Sequence, residues 1–308
     1  MFGIALTNVL ITIFYILPGY VIRKIHVVKE QELGMASGIL VYIGTPFLIL
    51  SAFLDMDFSW GLMGELGLFF LISLACQGAF LGILWLLFRK KFSHVYYRLL
   101  CITSELGNVG FFGLPIVRAL FPNNPETSCY CTMYMMSMNV IAFTIGTYCL
   151  TEDKKYISLK SAIFNPTTLG IVVALPMYMI GARHFLPAAL LNGIRALGGL
   201  CTPLAMIILG IRLASAPVTD IFKNKMVYPA VFLKLILFPL FAYAVVLFLP
   251  LPASFKATIL VLSSTPGAAI TLSLAELHHS ETKMAANILI LSTVLCFITI
   301  PLLTLLIP

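Results

Sequence analysis

Ser104-Glu105-Leu106-Gly107-Asn108-Val109-Gly110-Phe111-Phe112-Gly113-Leu114-Pro115 lies inside an apolar run from about Leu99 to Leu120, long enough to cross a bilayer. Yet it carries glycines, a proline, an asparagine and a carboxylate. In hydrocarbon a backbone N–H or C=O without a partner costs several kcal/mol. A helix is therefore broken at membrane depth only where protein or a wet cavity satisfies the freed groups. A second interrupted run, Ser263-Ser264-Thr265-Pro266-Gly267-Ala268-Ala269, holds the corresponding place in the other half of the chain. Paired interruptions at matching positions of two halves point to the binding site of a secondary transporter.

The composition around these runs fits a bilayer. Of 308 residues, 60% are hydrophobic and 10% charged, and the mean hydropathy is +1.04. Soluble domains carry about 25% charged residues, so the chain reads as an all-α polytopic membrane protein. The net charge of +7 is no nucleic-acid signal, because the basic residues sit in short loops between apolar runs. The seven cysteines fall mostly within these runs, lack metal-site spacing and read as packing residues. The first apolar run has no basic segment before it and reads as a span, not a cleaved signal.

Requiring roughly 20 mainly apolar residues per crossing gives ten spans, at about 2–22, 33–54, 62–88, 99–120, 128–150, 164–182, 190–213, 226–249, 255–276 and 284–307. Loops on one side hold Arg23, Lys24, Lys29, Arg89, Lys90, Lys91, Arg98, Lys154, Lys155, Lys160, Arg212, Lys223, Lys225 and Lys283. Those on the other hold only Arg118, Arg183, Arg195 and Lys256. This positive-inside bias places a multi-pass protein in the cell membrane with both termini extracytoplasmic.

The chain also repeats itself. Leu17-Pro18-Gly19-Tyr20 returns as Leu175-Pro176-Met177-Tyr178, Thr45-Pro46 as Thr202-Pro203, and Arg98 as Lys256, each about 158 positions later. Residues 1–150 and 158–308 then form two five-helix repeats. Five is odd, so the repeats run through the membrane in opposite senses, an arrangement that supplies inward- and outward-open states.

Asn108 followed by Pro115 with Gly-Phe-Phe-Gly between them is similar to the fourth span of the auxin efflux carrier family. Ser264-Thr265-Pro266-Gly267-Ala268-Ala269 before Ala275-Glu276 resembles its ninth span, and Lys234-Leu235-Ile236-Leu237-Phe238-Pro239 and Ile208-Leu209-Gly210-Ile211-Arg212-Leu213 fit its eighth and seventh. The resemblance covers essentially the whole chain. It implies a fold like that of the bile acid/sodium symporters, with spans 1, 2, 6 and 7 as scaffold and spans 3–5 and 8–10 as a moving core. The short Thr151–Ile163 loop resembles that of bacterial members, associated with small carboxylates such as malate or malonate. Family members are often homodimers. By the same analogy, Ser263, Ser264 and Thr265 would coordinate sodium.

The residues themselves suggest an anion site. Each break would start a half-helix near mid-membrane, at about Gly113 and Gly267, and a helix N-terminus offers unpaired N–H groups and partial positive charge. Asn108 adds two donors and an acceptor. The substrate-binding set expected is Asn108, Gly110, Gly113, Pro115, Asn139, Thr265, Pro266 and Gly267, for a mono- or dicarboxylate. The alternative for Gly110 and Gly113 is tight helix packing, and for Asn139 and Gln77 polar contact between helices. Glu105 and Lys234, the deepest charges, are candidates for ion coupling or for a structural ion pair. His278-His279 beside Glu276 and Glu281 reads as a solvated turn. No catalytic motif, metal set or nucleotide loop is present, so an enzyme is not expected. Coupling to sodium, to protons or to neither stays open, as does a channel or sensor.

Overall fold

The computed structural model describes residues 1–29, 32–215, 224–278 and 280–307; Lys223 and His279 lie outside them. The described residues form helices, joined by one isolated β-bridge. Seven helices are long and apolar enough to span a bilayer: α1 (Phe2–Lys24), α2 (Leu33–Leu54), α3 (Trp60–Lys91), α5 (Glu126–Thr151), α7 (Ala188–Ser215), α8 (Val227–Leu247) and α10 (Thr282–Leu306). They fall on seven of the expected spans. The fourth and ninth runs are interrupted, as α4a (Val95–Thr103) with α4b (Val109–Leu120) and α9a (Ala253–Ser263) with α9b (Ala269–Leu277). The sixth run is the shorter helix α6 (Pro166–Met179), whose start is legible in Asn165-Pro166: the Asn165 side chain accepts the Thr168 N–H and Pro166 takes the first turn.

Several helices contain one wide π-turn. Those at Leu40–Gly44, Val109–Gly113 and Leu233–Leu237 each precede a proline by one residue, Pro46, Pro115 and Pro239. A proline lacks an N–H and its ring crowds the carbonyl one turn back. Widening that turn accommodates both defects while the helix continues.

Small residues set the packing. A Cβ at Gly19 would strike the Ile207 carbonyl, and one at Gly210 the Ile16 carbonyl, so α1 and α7 meet backbone to backbone. Likewise a Cβ at Gly170 of α6 would lie 3.1 Å from Pro46 Cα, and one at Gly198 of α7 would lie 2.9 Å from Leu48 Cα on α2. Lipid tails are as apolar as leucine, so such close approach is a main source of helix association in a bilayer. Helices α1, α2, α6 and α7 thus pack on one another, while α3 lies along α5, α9a along α8, and α10 against α8. All seven cysteines are free and buried, in keeping with a packing role.

Adding a methyl group gives opposite signs at two glycines. Gly210→Ala should lower the thermal unfolding midpoint in detergent, overpacking costing about 1–3 kcal/mol. Gly193→Ala, where nothing lies within 4 Å, should hold or raise it, since alanine is the better helix former. Equal effects of the two changes would contradict the close α1–α7 contact.

Candidate functional site

The two interruptions meet. Gly107 and Gly267 face each other in an antiparallel bridge. The Asn108 N–H donates to the Pro266 carbonyl at 2.8 Å, and the Ala268 N–H donates to the Leu106 carbonyl at 3.1 Å. Each break therefore satisfies the other with a reciprocal pair of backbone hydrogen bonds. The Gly267 N–H goes to the Ser292 hydroxyl of α10 at 3.0 Å. Ser292 is a residue that sequence reasoning missed, because one serine within an apolar helix carries no signal of its partner.

Lys234 completes the crossing. It is fully buried, within the π-turn of α8. Its Nζ donates to the Glu105 carbonyl at 2.8 Å and to the Ser263 carbonyl at 3.2 Å. The Ser263 carbonyl ends α9a and the Glu105 carbonyl lies just past the end of α4a, so the ammonium sits near the negative ends of two helix dipoles. The expected ion pair takes another form: among the described residues no ion pair joins Lys234 to the Glu105 carboxylate, and the contact runs through the backbone. A helix end has carbonyls that must find donors, a demand that side-chain spacing does not reveal. Gly107 leaves room for this arrangement, since a Cβ there would collide with the Thr265 hydroxyl and lie 2.8 Å from Lys234 Nζ.

Beyond the bridge the chain turns helical again. Asn108 is the N-cap of the second half of the fourth run, whose helical turns begin at Val109 rather than near Gly113. Pro115 fits the first turn after the π-turn and so does not need to start the helix. The ninth run resumes at Ala269, with Ala268 as N-cap. The first N–H groups of each half, at Gly110 and Phe111 and at Ala269 and Ile270, have no intrahelical acceptor. Asn108, Phe111 and Pro115 are half-buried and Ala269 is exposed, so both N-termini reach open space. The Asn108 side chain neither caps its own helix nor bonds any described residue, leaving its amide to face that space.

The other expected residues divide. Pro266 and Gly267 form the bridge. The Thr265 hydroxyl bonds back to the Leu262 carbonyl at 2.7 Å, and its methyl group packs where a Cβ of Gly113 would lie, 2.8 Å away. A Cβ at Gly110 would lie 2.8 Å from Met135 Sδ. Asn139 is not brought to the crossing contacts: its Nδ2 donates to Asn165 Oδ1 at 3.3 Å, linking α5 to the cap of α6. The Ser263 and Ser264 hydroxyls bond carbonyls of their own helix.

Two cavities lie near these elements. One of about 250 Å³ is lined by Ile13, Leu17 and Tyr20 of α1, Leu209 and Leu213 of α7, and Thr293 and Phe297 of α10. Its Phe297 ring is 6.3 Å from Phe112 of α4b, which places it beside the crossing. The other, about 710 Å³, lies at the lysine-rich end between the Thr151–Tyr156 and Leu277–Lys283 connections. There His278 packs on Tyr156, and a hydrogen bond from the Lys155 side chain holds the Asp153 carboxyl below its ordinary range.

The chain matches the family described as Membrane transport protein over residues 4–158 and 152–304. It is 26% identical over 300 residues to an uncharacterized transporter of Methanocaldococcus jannaschii, covering 96% of each chain.

The crossing makes a stability prediction. Lys234→Met leaves the Glu105 and Ser263 carbonyls without a donor, at about 1–3 kcal/mol each. Gly107→Ala should produce a similar loss by displacing the ammonium. Both should unfold at clearly lower temperature in detergent, and a Lys234→Met protein as stable as the parent would contradict the assigned role.

Proposed function

We propose, for a chain that belongs to the membrane transport protein family, that it is a secondary carrier moving a small organic anion by alternating access. The family and the relative's name support a transport role over an enzymatic one. The seven long apolar helices support a multi-pass membrane protein. In this reading α4a/α4b, α6 and α9a/α9b complete ten crossings. The two five-helix repeats, residues 1–150 and 158–308, are inverted, with α1, α2, α6 and α7 as the scaffold against which the rest moves. The lysine-rich loops face the cytoplasm, and both termini face out of the cell.

The observation that carries the proposal is the pair of half-helix N-termini at the crossing, with the unengaged Asn108 amide beside one of them. Unpaired N–H groups and the positive ends of two dipoles favour negative charge. A carboxylate supplies it together with acceptor lone pairs, and the asparagine amide adds two donors without any change of protonation. The apolar cavity between α1, α7 and α10 lies on the seam between scaffold and moving part, as a path to the crossing requires. A channel or sensor has no need of two mirrored half-helices around one midplane.

Counterflow in proteoliposomes tests this, with malonate and malate as probes. A hydrogen bond to a charged group contributes about 1.5–3 kcal/mol, so Asn108→Ala should weaken half-saturation roughly ten- to a hundredfold. Asn139→Ala should leave it within about twofold, because Asn139 serves a contact between α5 and α6. Unchanged counterflow in Asn108→Ala would remove the anion site from the fourth span.

A further inference from the structure

Leu10, Phe14, Leu17 and Val21 recur along α1 at helical spacing and are all exposed, as are Val294, Ile298 and Leu302 along α10. Exposed apolar stripes of this kind face a bilayer. Leu17 and Val294 also line the cavity of about 250 Å³ between α1, α7 and α10, so its mouth lies where the two stripes meet. Its inner wall is made by Ile16, Leu209 and Ile290, which are buried.

The lining decides what can fill this space. Only Tyr20 and Thr293 bring polar side-chain atoms to it, and the Thr293 hydroxyl already donates to the Leu289 carbonyl at 2.8 Å. Water needs about two to four polar partners and finds too few here. Left empty, the space would forfeit dispersion contacts on every wall. Hydrocarbon entering from the bilayer avoids both costs.

The walls of the cavity run on into positive charge. Lys24 follows the lining Tyr20 by four residues, on the same face of α1, and its Nζ lies 5.5 Å from the centre of the Tyr20 ring. Beside it Arg23 Nε donates to the Ser215 hydroxyl at 2.7 Å, which joins the ends of α1 and α7 just past the lining Leu213. Arg212 follows the lining Leu209 by three residues, and its contact with Glu276 of α9b is 3.9 Å long. Among the described residues neither Arg23 nor Lys24 meets a carboxylate. Three cations and one distant carboxylate thus stand over an apolar slot that opens on lipid.

Charge alone would not single out this place, since many loops at the same end of the molecule are basic, and a slot alone would take any hydrocarbon chain. Together they fit an amphiphile with a negative head and an apolar tail. A small soluble anion would meet the cations and leave the slot empty. A zwitterionic lipid would bring a positive charge of its own against Lys24 and Arg23. Basic clusters above a cleft between membrane helices are suited to anionic headgroups.

We propose that this groove binds one acyl chain of an anionic phospholipid from the surrounding bilayer, with the lipid phosphate held at Arg23, Lys24 and Arg212. The chain enters between Leu17 and Val294 and lies with α1 and α7 on one wall and α10 on the other. Binding does not depend on what the protein transports. Its consequence for transport rests on the carrier reading above: a chain seated in the cavity closes the seam that leads to the crossing.

Native mass spectrometry of the purified protein, released from detergent supplied with phosphatidylglycerol or with phosphatidylcholine of the same chains, tests the site without any cargo. The parent protein should retain one phosphatidylglycerol in preference to phosphatidylcholine. Retention should fall roughly fivefold in Lys24→Gln, the loss expected when one basic residue no longer attracts an anionic lipid. It should also fall in Val294→Phe, which fills the mouth without changing charge; Ile13→Phe serves if that variant does not fold. Lys90→Gln, at the basic end of α3, should leave it unchanged. Equal retention of the two lipids would mean an apolar slot only, and an equal loss in Lys90→Gln a general surface attraction. Retention untouched by both filling variants, or abolished by soluble glycerol phosphate, would mean a headgroup site only. Each of these results would overturn the proposal. Malonate counterflow is a separate measurement, and its failure would count against the carrier while leaving the lipid site standing.

Discussion

A backbone polar group in hydrocarbon must find a partner inside the protein, and this chain breaks two of its helices among mostly buried residues. The reciprocal hydrogen bonds between Asn108 and Pro266 and between Ala268 and Leu106 meet that demand on one side of the breaks. Lys234 meets it on the other by donating to the Glu105 carbonyl just past α4a and to the Ser263 carbonyl at the end of α9a. Neither break could be satisfied alone. The two interrupted helices are therefore one structural unit, and Gly107 makes room for the Thr265 hydroxyl and the Lys234 ammonium that pack against it.

The same solution leaves free the groups on which the proposed anion position rests. The chain directions that join the breaks use up the carbonyl ends of the first halves. They leave the N–H ends of the second halves pointing into open space beside Asn108. A lysine fixed on backbone carbonyls is also unlike a lysine held by a carboxylate. It leaves both Glu105 carboxylate oxygens buried without a hydrogen-bond partner among the described residues. One cation thus ties the two breaks together through their carbonyls.

Much of the framework was legible in the sequence, for identifiable reasons. Apolar length located the seven long helices. Asn165-Pro166 announced a helix start that the structure realises as an N-cap, and the two Gly/Pro interruptions marked where the helices break. What escaped depends on partners far apart in the chain. The sequence puts Glu105 and Lys234 at similar depth and so suggests an ion pair. Only the fold shows that the ammonium serves carbonyls. Asn139 is as polar as Asn108 and lies in an equally apolar run, yet it faces Asn165. The second half-helix begins at Val109, ahead of the expected start near Gly113, because a π-turn at Val109–Gly113 carries the helix up to Pro115.

Hydrogen exchange at single amides, by solid-state NMR in lipid, addresses the crossing directly. The account predicts strong protection of the Asn108 and Ala268 N–H groups, which bridge the two breaks. It predicts faster exchange at Gly110, Phe111, Ala269 and Ile270, slowed when malonate is added. Uniform protection through both segments, as in two unbroken helices, or rapid exchange at Asn108 and Ala268, would contradict it.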